Sequence, residues 1–228
     1  MGLAPVELTT REQTMSTHAE ADLSEVLVVP DQHPATLEAC RRCRLWHDAT
    51  QGVGGEGPRH APIMMVGEQP GDKEDLAGRP FVGPAGALLD AALAEAGVDR
   101  DVDRDEVFVT NAVKHFKWAQ RGKRRMHKTP GQREIEACRY WLEKEYEAVD
   151  PRVVVALGAT ALKSVLHDYR AGLRDKLGDV LEWEGRLIVP TYHPSYALRA
   201  PDESARKQAY DTIVSALRQA GRLARARA

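Results

Sequence analysis

The chain has 228 residues, of which 43% are hydrophobic and 29% charged, and its formal net charge is −2. That mixture fits a soluble protein with one sizeable core and excludes a collagen-like or wholly disordered chain. A charge sum so near zero gives no global pull toward nucleic acid, so any phosphate affinity must come from a local basic patch.

Residues 1–34 are polar with scattered acids and one short apolar run, Val26–Val29, and read as a mostly disordered tail ahead of a single domain over 35–228. The N-terminus lacks a charged-then-apolar signal pattern, and no apolar run approaches the roughly 20 residues that cross a bilayer. A cytoplasmic protein with no membrane partner is therefore expected. Disulfides are rare in a reducing compartment, so the three cysteines raise metal ligation as the possibility to test.

Cys40-Arg41-Arg42-Cys43 is a C-x-x-C pair, by spacing alone a redox dithiol, half of a zinc site or half of a cluster site. Gly52-Val53-Gly54-Gly55-Glu56-Gly57 matches G-x-G-x-x-G by letter, but it precedes a strand and no helix follows it, so it reads as a flexible loop. Short apolar runs at Ile63–Val66, Val107–Thr110, Val153–Leu157 and Leu187–Pro190 predict buried strands, with Val180–Trp183 a weaker extra one. Between them, Leu88, Leu89, Ala92, Leu93 and Ala96 share a helix face that starts after Gly83-Pro84 and stops at Gly97. Ile135, Cys138, Leu142 and Val149 mark a second stripe, with Thr129 as N-cap and Pro130 at the first helical position. Leu162, Val165 and Leu166 mark a third helix, and Ile213, Leu217 and Ala220 a C-terminal one. The alternation predicts an α/β fold of three layers, α/β/α, around a mainly parallel four-stranded sheet. Its ligand site should lie beyond the carboxyl ends of the strands.

The segments at those ends carry chemistry. After the first strand come Gly67-Glu68-Gln69-Pro70-Gly71-Asp72 and, further on, Asp75 and Phe81, a rim of glycines, acids and one flat ring. After the second come Asn111, Lys114, His115, Phe116 and Trp118. After the last comes Tyr192-His193-Pro194-Ser195. An Asn amide offers one donor and one acceptor group, which match the O4 and N3–H edge of uracil. A turn histidine can donate to a base oxygen that becomes negative as a glycosidic bond breaks. Residues 114–128 hold seven Lys or Arg and no acid. Interleaved with Phe116 and Trp118, they suggest a loop that grips phosphates and stacks bases.

Taken together, GEQPGDKED with GRPFVGPAG, TNAVKH and TYHPS resemble the motif series of family-4 uracil-DNA glycosylases. Lys123-Arg124-Arg125-Met126-His127 resembles the KRRIH insert of the UdgX branch, with Met for Ile the one departure. The resemblance spans roughly Ala35 to Leu217. It implies a [4Fe–4S] cluster on Cys40, Cys43, His115 and Cys138, with zinc the chemical alternative because Cys₃His is also a zinc set. An imidazole ligand in place of a thiolate should raise the cluster potential.

The same resemblance implies a substrate of uracil-containing DNA, preferably single-stranded because unstacking then costs least, and a monomeric protein. Glu68 would stabilise the sugar cation and help His127 lose its proton. Gln69 would shape the pocket floor, Phe81 stack on uracil, Asn111 read its edge, and His193 support the departing anion. Arg125 would anchor the loop or a phosphate, and Asp72 and Asp75 would orient the loop. His127 would capture sugar C1′ and leave the protein covalently attached to DNA. The alternative is a turnover glycosylase using water activated by Glu68.

Overall fold

The computed structural model describes residues 32–97 and 107–226. The expected tail up to residue 31, with its Val26–Val29 run, lies outside the described residues. The described chain opens with α1 (Leu45–Asp48), β1 (Ile63–Gly67), α2 (Asp72–Ala77), α3 (Pro84–Ala96) and β2 (Val107–Asn111). A ribbon of β3 (Trp118–Arg121) and β4 (Arg124–His127) follows, then α4 (Gln132–Val149), β5 (Val153–Leu157) and α5 (Ala159–Leu166). It ends with β6 (Leu181–Trp183), β7 (Arg186–Thr191), α6 (Pro194–Leu198) and α7 (Glu203–Ala226).

The main sheet has five strands in the order β2-β1-β5-β7-β6. The first four are parallel, and β6 runs antiparallel to β7. The expected count of four is thus corrected to five. The weak Val180–Trp183 signal is a real edge strand, joined to β7 by Glu184-Gly185, both at positive φ, as a two-residue hairpin turn requires.

Every residue of β1 and β5 is buried, because helices cover both faces of the parallel strands. Ile63, Met65, Val153 and Val155 pack against Leu89 and Leu93 of α3 and Ile213 and Leu217 of α7. Their alternate neighbours Met64, Val66, Val154 and Ala156 pack against Leu142 of α4 and Leu162 and Val165 of α5. These are the three layers expected.

Three local expectations need correction. The second long helix starts at Gln132, two residues later than Thr129 and Pro130 suggest, because Glu134 reaches back 2.6 Å to accept the Gly131 N–H. The supposed basic loop contains a two-stranded ribbon turning at Gly122, whose φ is 60°; its strands are short and charged, so no apolar alternation betrays them. The supposed flexible glycine loop is tied to the outer edge of β2, where Glu56 and Val109 exchange backbone bonds of 2.9 and 2.8 Å. A Cβ at Gly55 would come within 2.3 Å of the Phe108 ring, so glycine lets this segment close an otherwise open sheet edge.

Candidate active site

The carboxyl ends of β1 and β2 lie in register, Gly67 beside Asn111. A Cβ on Gly67 would fall 2.4 Å from Asn111 Oδ1 and 2.7 Å from the Phe81 ring. Only glycine lets both side chains close over this strand end. Phe81, held at a φ of 55° in the turn before α3, stacks on His193 with ring centroids 6.0 Å apart and planes 27° off parallel. His193 follows β7 and caps α6. Segments after three different strands thus bring Phe81, Asn111 and His193 together at one end of the sheet.

The protonation of His193 follows from its surroundings. Its Nδ1 accepts the Ser195 backbone N–H at 3.1 Å and lies 2.8 Å from Ser195 Oγ. The proton of the neutral ring therefore sits on Nε2, the nitrogen free to donate. Burial lowers its pKa to about 4, despite the opposing pull of Glu68. The ring is a neutral donor at pH 7.

Burial pushes the Glu68 carboxyl up, but hydrogen bonds from His127 and Thr160, with smaller electrostatic contributions from the His127 and His193 rings, outweigh it and hold the carboxyl below its usual range. One oxygen meets His127 Nε2 at 3.1 Å, and the other accepts a bond from Thr160 Oγ1. Glu68 is therefore an oriented carboxylate between the base pocket and the ribbon.

The ribbon is fastened from below. Gln69 is buried; its amide donates to Lys117 O at 3.1 Å and Lys128 O at 3.0 Å, and its oxygen accepts the Lys117 N–H at 3.0 Å. It thus clasps both ends of the ribbon that carries His127. Arg125 donates to Asp72 Oδ1 and to Asp75 Oδ2, each at 2.6 Å, and to Thr50 Oγ1 at 3.2 Å. Asp75 is fully buried and also accepts the Thr50 N–H. Arg125 is engaged with these carboxylates, whereas Arg121, Lys123, Arg124 and Lys128 are exposed.

Two members of the basic run are misassigned by sequence. Lys114 is fully buried and bonded to Glu145, so it is no phosphate ligand. Phe116 is buried beneath Arg125 and His127, so its face is closed to a base. Trp118 remains half-buried, and its indole N–H donates to Asp48 O at 2.9 Å.

Cys40, Cys43 and Cys138 are free and buried. A hydrogen bond to Cys138, with burial, pushes the Cys43 thiol up, while hydrogen bonds from Cys43 and from His115 hold Cys138 down. The buried Nδ1 of His115 has no hydrogen-bond partner among the described residues. Cys40 Sγ accepts the Trp141 indole N–H at 3.2 Å. Among the described residues no three His, Cys, Asp or Glu side chains converge in a geometry that holds a metal ion. The donor chemistry nonetheless fits a thiophilic centre, since the three buried thiols are free of disulfides and the orphaned His115 nitrogen is costly to bury without a partner.

Thr160 escaped the sequence analysis, and Gly67 and Ser195, present in its motifs, had no individual role there. Thr160 binds Glu68, Ser195 fixes the His193 tautomer, and Gly67 admits Asn111 and Phe81. The signal for Thr160 was positional, for it stands three residues beyond the end of β5, where a parallel sheet places its ligands.

A parallel sheet whose strand ends gather an aromatic ring, an amide, a neutral imidazole and a carboxylate defines a pocket for a flat polar ring. Residues 55–218 match the Uracil DNA glycosylase superfamily, and the chain belongs to it. The type-4 uracil-DNA glycosylase of Thermotoga maritima is 36% identical over 181 residues, 79% of this chain and 88% of that one. That of Sulfurisphaera tokodaii is 35% identical over 171 residues, 72% of this chain and 73% of its own. The type-5 uracil-DNA glycosylase of Pyrobaculum aerophilum is 34% identical over 173 residues, 71% and 73% of the two chains. No described helix is long and apolar enough to cross a membrane.

Proposed function

We propose that this protein is a uracil-DNA glycosylase that takes an extruded uracil into the pocket formed by Phe81, Asn111 and His193. The observation that carries this reading is the closure of Asn111 and Phe81 over Gly67 beside His193. Phe81 offers a stacking face, Asn111 a donor–acceptor pair, and neutral His193 an Nε2–H aimed at a base oxygen. When the N1–C1′ bond breaks, its electron pair leaves with uracil, and the His193 donor stabilises the resulting anion. The Glu68 carboxylate stabilises the cation that develops on the sugar. Single-stranded DNA is the favoured substrate, because the base is already unstacked.

Similarity to type-4 uracil-DNA glycosylases supports turnover, in which Glu68 orients the water that attacks C1′. Incubation with a uracil-containing single strand, followed by alkali, should then yield cleaved DNA in molar excess over protein. Intact uracil after prolonged incubation would refute the glycosylase reading.

A second reading, covalent capture, is favoured by the placement of His127 Nε2 3.1 Å from Glu68. An imidazole nitrogen bearing its lone pair would bond to C1′ ahead of water, leaving a cationic ring. Loss of the remaining N–H proton would then make the product stable. Denaturing electrophoresis distinguishes the two, since capture gives a heat-stable shifted band that His127→Ala abolishes, and turnover gives none.

We further propose that Cys40, Cys43, His115 and Cys138 hold a [4Fe–4S] cluster, supported by the free buried thiols and the orphaned His115 nitrogen. Such a group would tie the segment at Cys40–Cys43, the chain beyond β2 and α4 together, a structural task that needs no electron transfer. Anaerobically purified protein should contain iron and acid-labile sulfide and absorb broadly in the visible. Zinc without sulfide would overturn the assignment.

A further inference from the structure

Lys114 is an unusual side chain to find with no exposure to solvent, since lysines are almost never fully buried unless paired. Its ammonium donates to Thr110 Oγ1, Asn111 O and Glu145 Oε2, each at 2.7 Å. Three donors thus meet three acceptors, and none is wasted. Glu145, from α4, also accepts the Thr110 hydroxyl at 2.8 Å and the Gly55 N–H at 2.9 Å. These bonds lie along β2, the edge of the main sheet. On the inner side, the N–H groups of Ala112 and Val113 already bond to Gly67 O and Glu68 O. On the outer side the Glu56 segment bonds Val109, but among the described residues no strand bonds Asn111 O, and the Lys114 ammonium donates to it.

A buried ion pair adds little net stability compared with apolar side chains of equal volume. What an apolar residue cannot do is fix a carbonyl in direction. The carbonyl concerned belongs to Asn111, whose amide stands so close over Gly67 that no Cβ fits between them. A small rotation of the Asn111 backbone would swing that amide away from the pocket.

We propose that Lys114, buttressed by Glu145, is the positioning residue that holds Asn111 in its base-reading orientation, so that recognition of uracil depends on a cation that never touches DNA. This rests on the reading of the pocket as a uracil site. Because the charge is buried and paired, the residue should govern recognition of the base and leave phosphate affinity alone.

Three measurements on Lys114→Met test the assignment: single-turnover excision from a uracil-containing single strand, inhibition by free uracil, and affinity for a uracil-free strand of equal length. Excision should slow on the order of tenfold to a hundredfold, as displacement of a reading group by a fraction of an ångström to an ångström does. Inhibition by free uracil should weaken by a similar factor, and affinity for the uracil-free strand should stay at the wild-type value. If the single variant fails to fold, Lys114→Met/Glu145→Gln removes both charges, keeps an acceptor for Gly55 and carries the same expectation. A folded variant with lowered thermal stability but wild-type excision and uracil inhibition would reduce Lys114 to a structural ion and overturn the proposal. A wild-type protein that removes no uracil would instead overturn the functional reading on which it rests.

Discussion

Asn111 ends β2, His193 follows β7 and Phe81 folds back over the end of β1, all against the buried main sheet, whereas the β3–β4 ribbon stands outside that sheet with Arg121, Lys123, Arg124 and Lys128 in solvent. The pocket gets its precision from the sheet beneath it. The ribbon has no core of its own and gets its position from single side chains, Arg125 reaching back to α2 and Gln69 reaching out from the segment after β1. Glu68 touches both regions, through Thr160 on one side and His127 on the other. On the proposed function, recognition of the base is built into the core, while His127, the group set toward the sugar, is carried on a tethered appendage. The two can therefore be broken separately.

The largest effect should come from the shared carboxylate. Glu68→Gln keeps the shape and removes the charge, and single-turnover excision should fall on the order of 10²–10³-fold, the usual loss when a preorganised electrostatic partner is removed. A fall of less than about threefold would remove Glu68 from the chemistry. Next comes the tether. Arg125→Ala leaves the Asp75 carboxylate buried and unpaired apart from the backbone donors of Thr50 and Gln51, and should cost about 3 kcal/mol in denaturant unfolding. It should also free the ribbon, so any DNA adduct formed through His127 should be lost while inhibition by free uracil persists. Loss of both together would mean that pocket and ribbon are one unit.

A pH titration probes the pocket side through His193, with His167, also depressed by burial, adding a loss of the same sign. His193 ordinarily titrates at 6.5 and here at about 4, so between these values the unfolded chain binds a proton that the folded chain refuses. The stability is complete above 6.5 and is lost as pH falls from 6.5 toward 4. Glu68 adds a loss of the same sign at lower pH, because its carboxyl is depressed from 4.5. Thermal midpoints should fall with acid across this window, and His193→Asn should flatten the upper part of the fall. An unchanged slope in that variant would mean another group is responsible. The smallest effect belongs to the ribbon surface. Lys123→Ala and Arg124→Ala should each weaken single-strand binding modestly and reduce the salt slope by about 0.7, with no change in inhibition by free uracil.

The sheet was legible because parallel strands covered on both faces read as continuous apolar runs. Ile63–Val66 and Val153–Leu157 therefore differ from the observed strands by at most one residue. The ribbon was not legible, since Trp118–Arg121 and Arg124–His127 are charged, four residues long each, and held by tertiary bonds. Composition likewise placed Lys114 in the basic run, and only the neighbouring Glu145, two helical turns beyond Cys138 on α4, shows that its charge is spent inside the protein. Asp72 and Asp75 read as loop acids, yet their partner Arg125 lies some fifty positions away in the chain.

By itself the sequence determined which segments are buried, which residue types stand at strand ends and how many thiols are available, because burial and periodicity are local properties of a chain. Folding alone decided which of those residues touch. The tautomer of His193, the charge of Glu68 and the burial of Lys114 are set by groups remote in sequence, and hydrogen bonds and desolvation act over a few ångströms of space without regard to separation along the backbone.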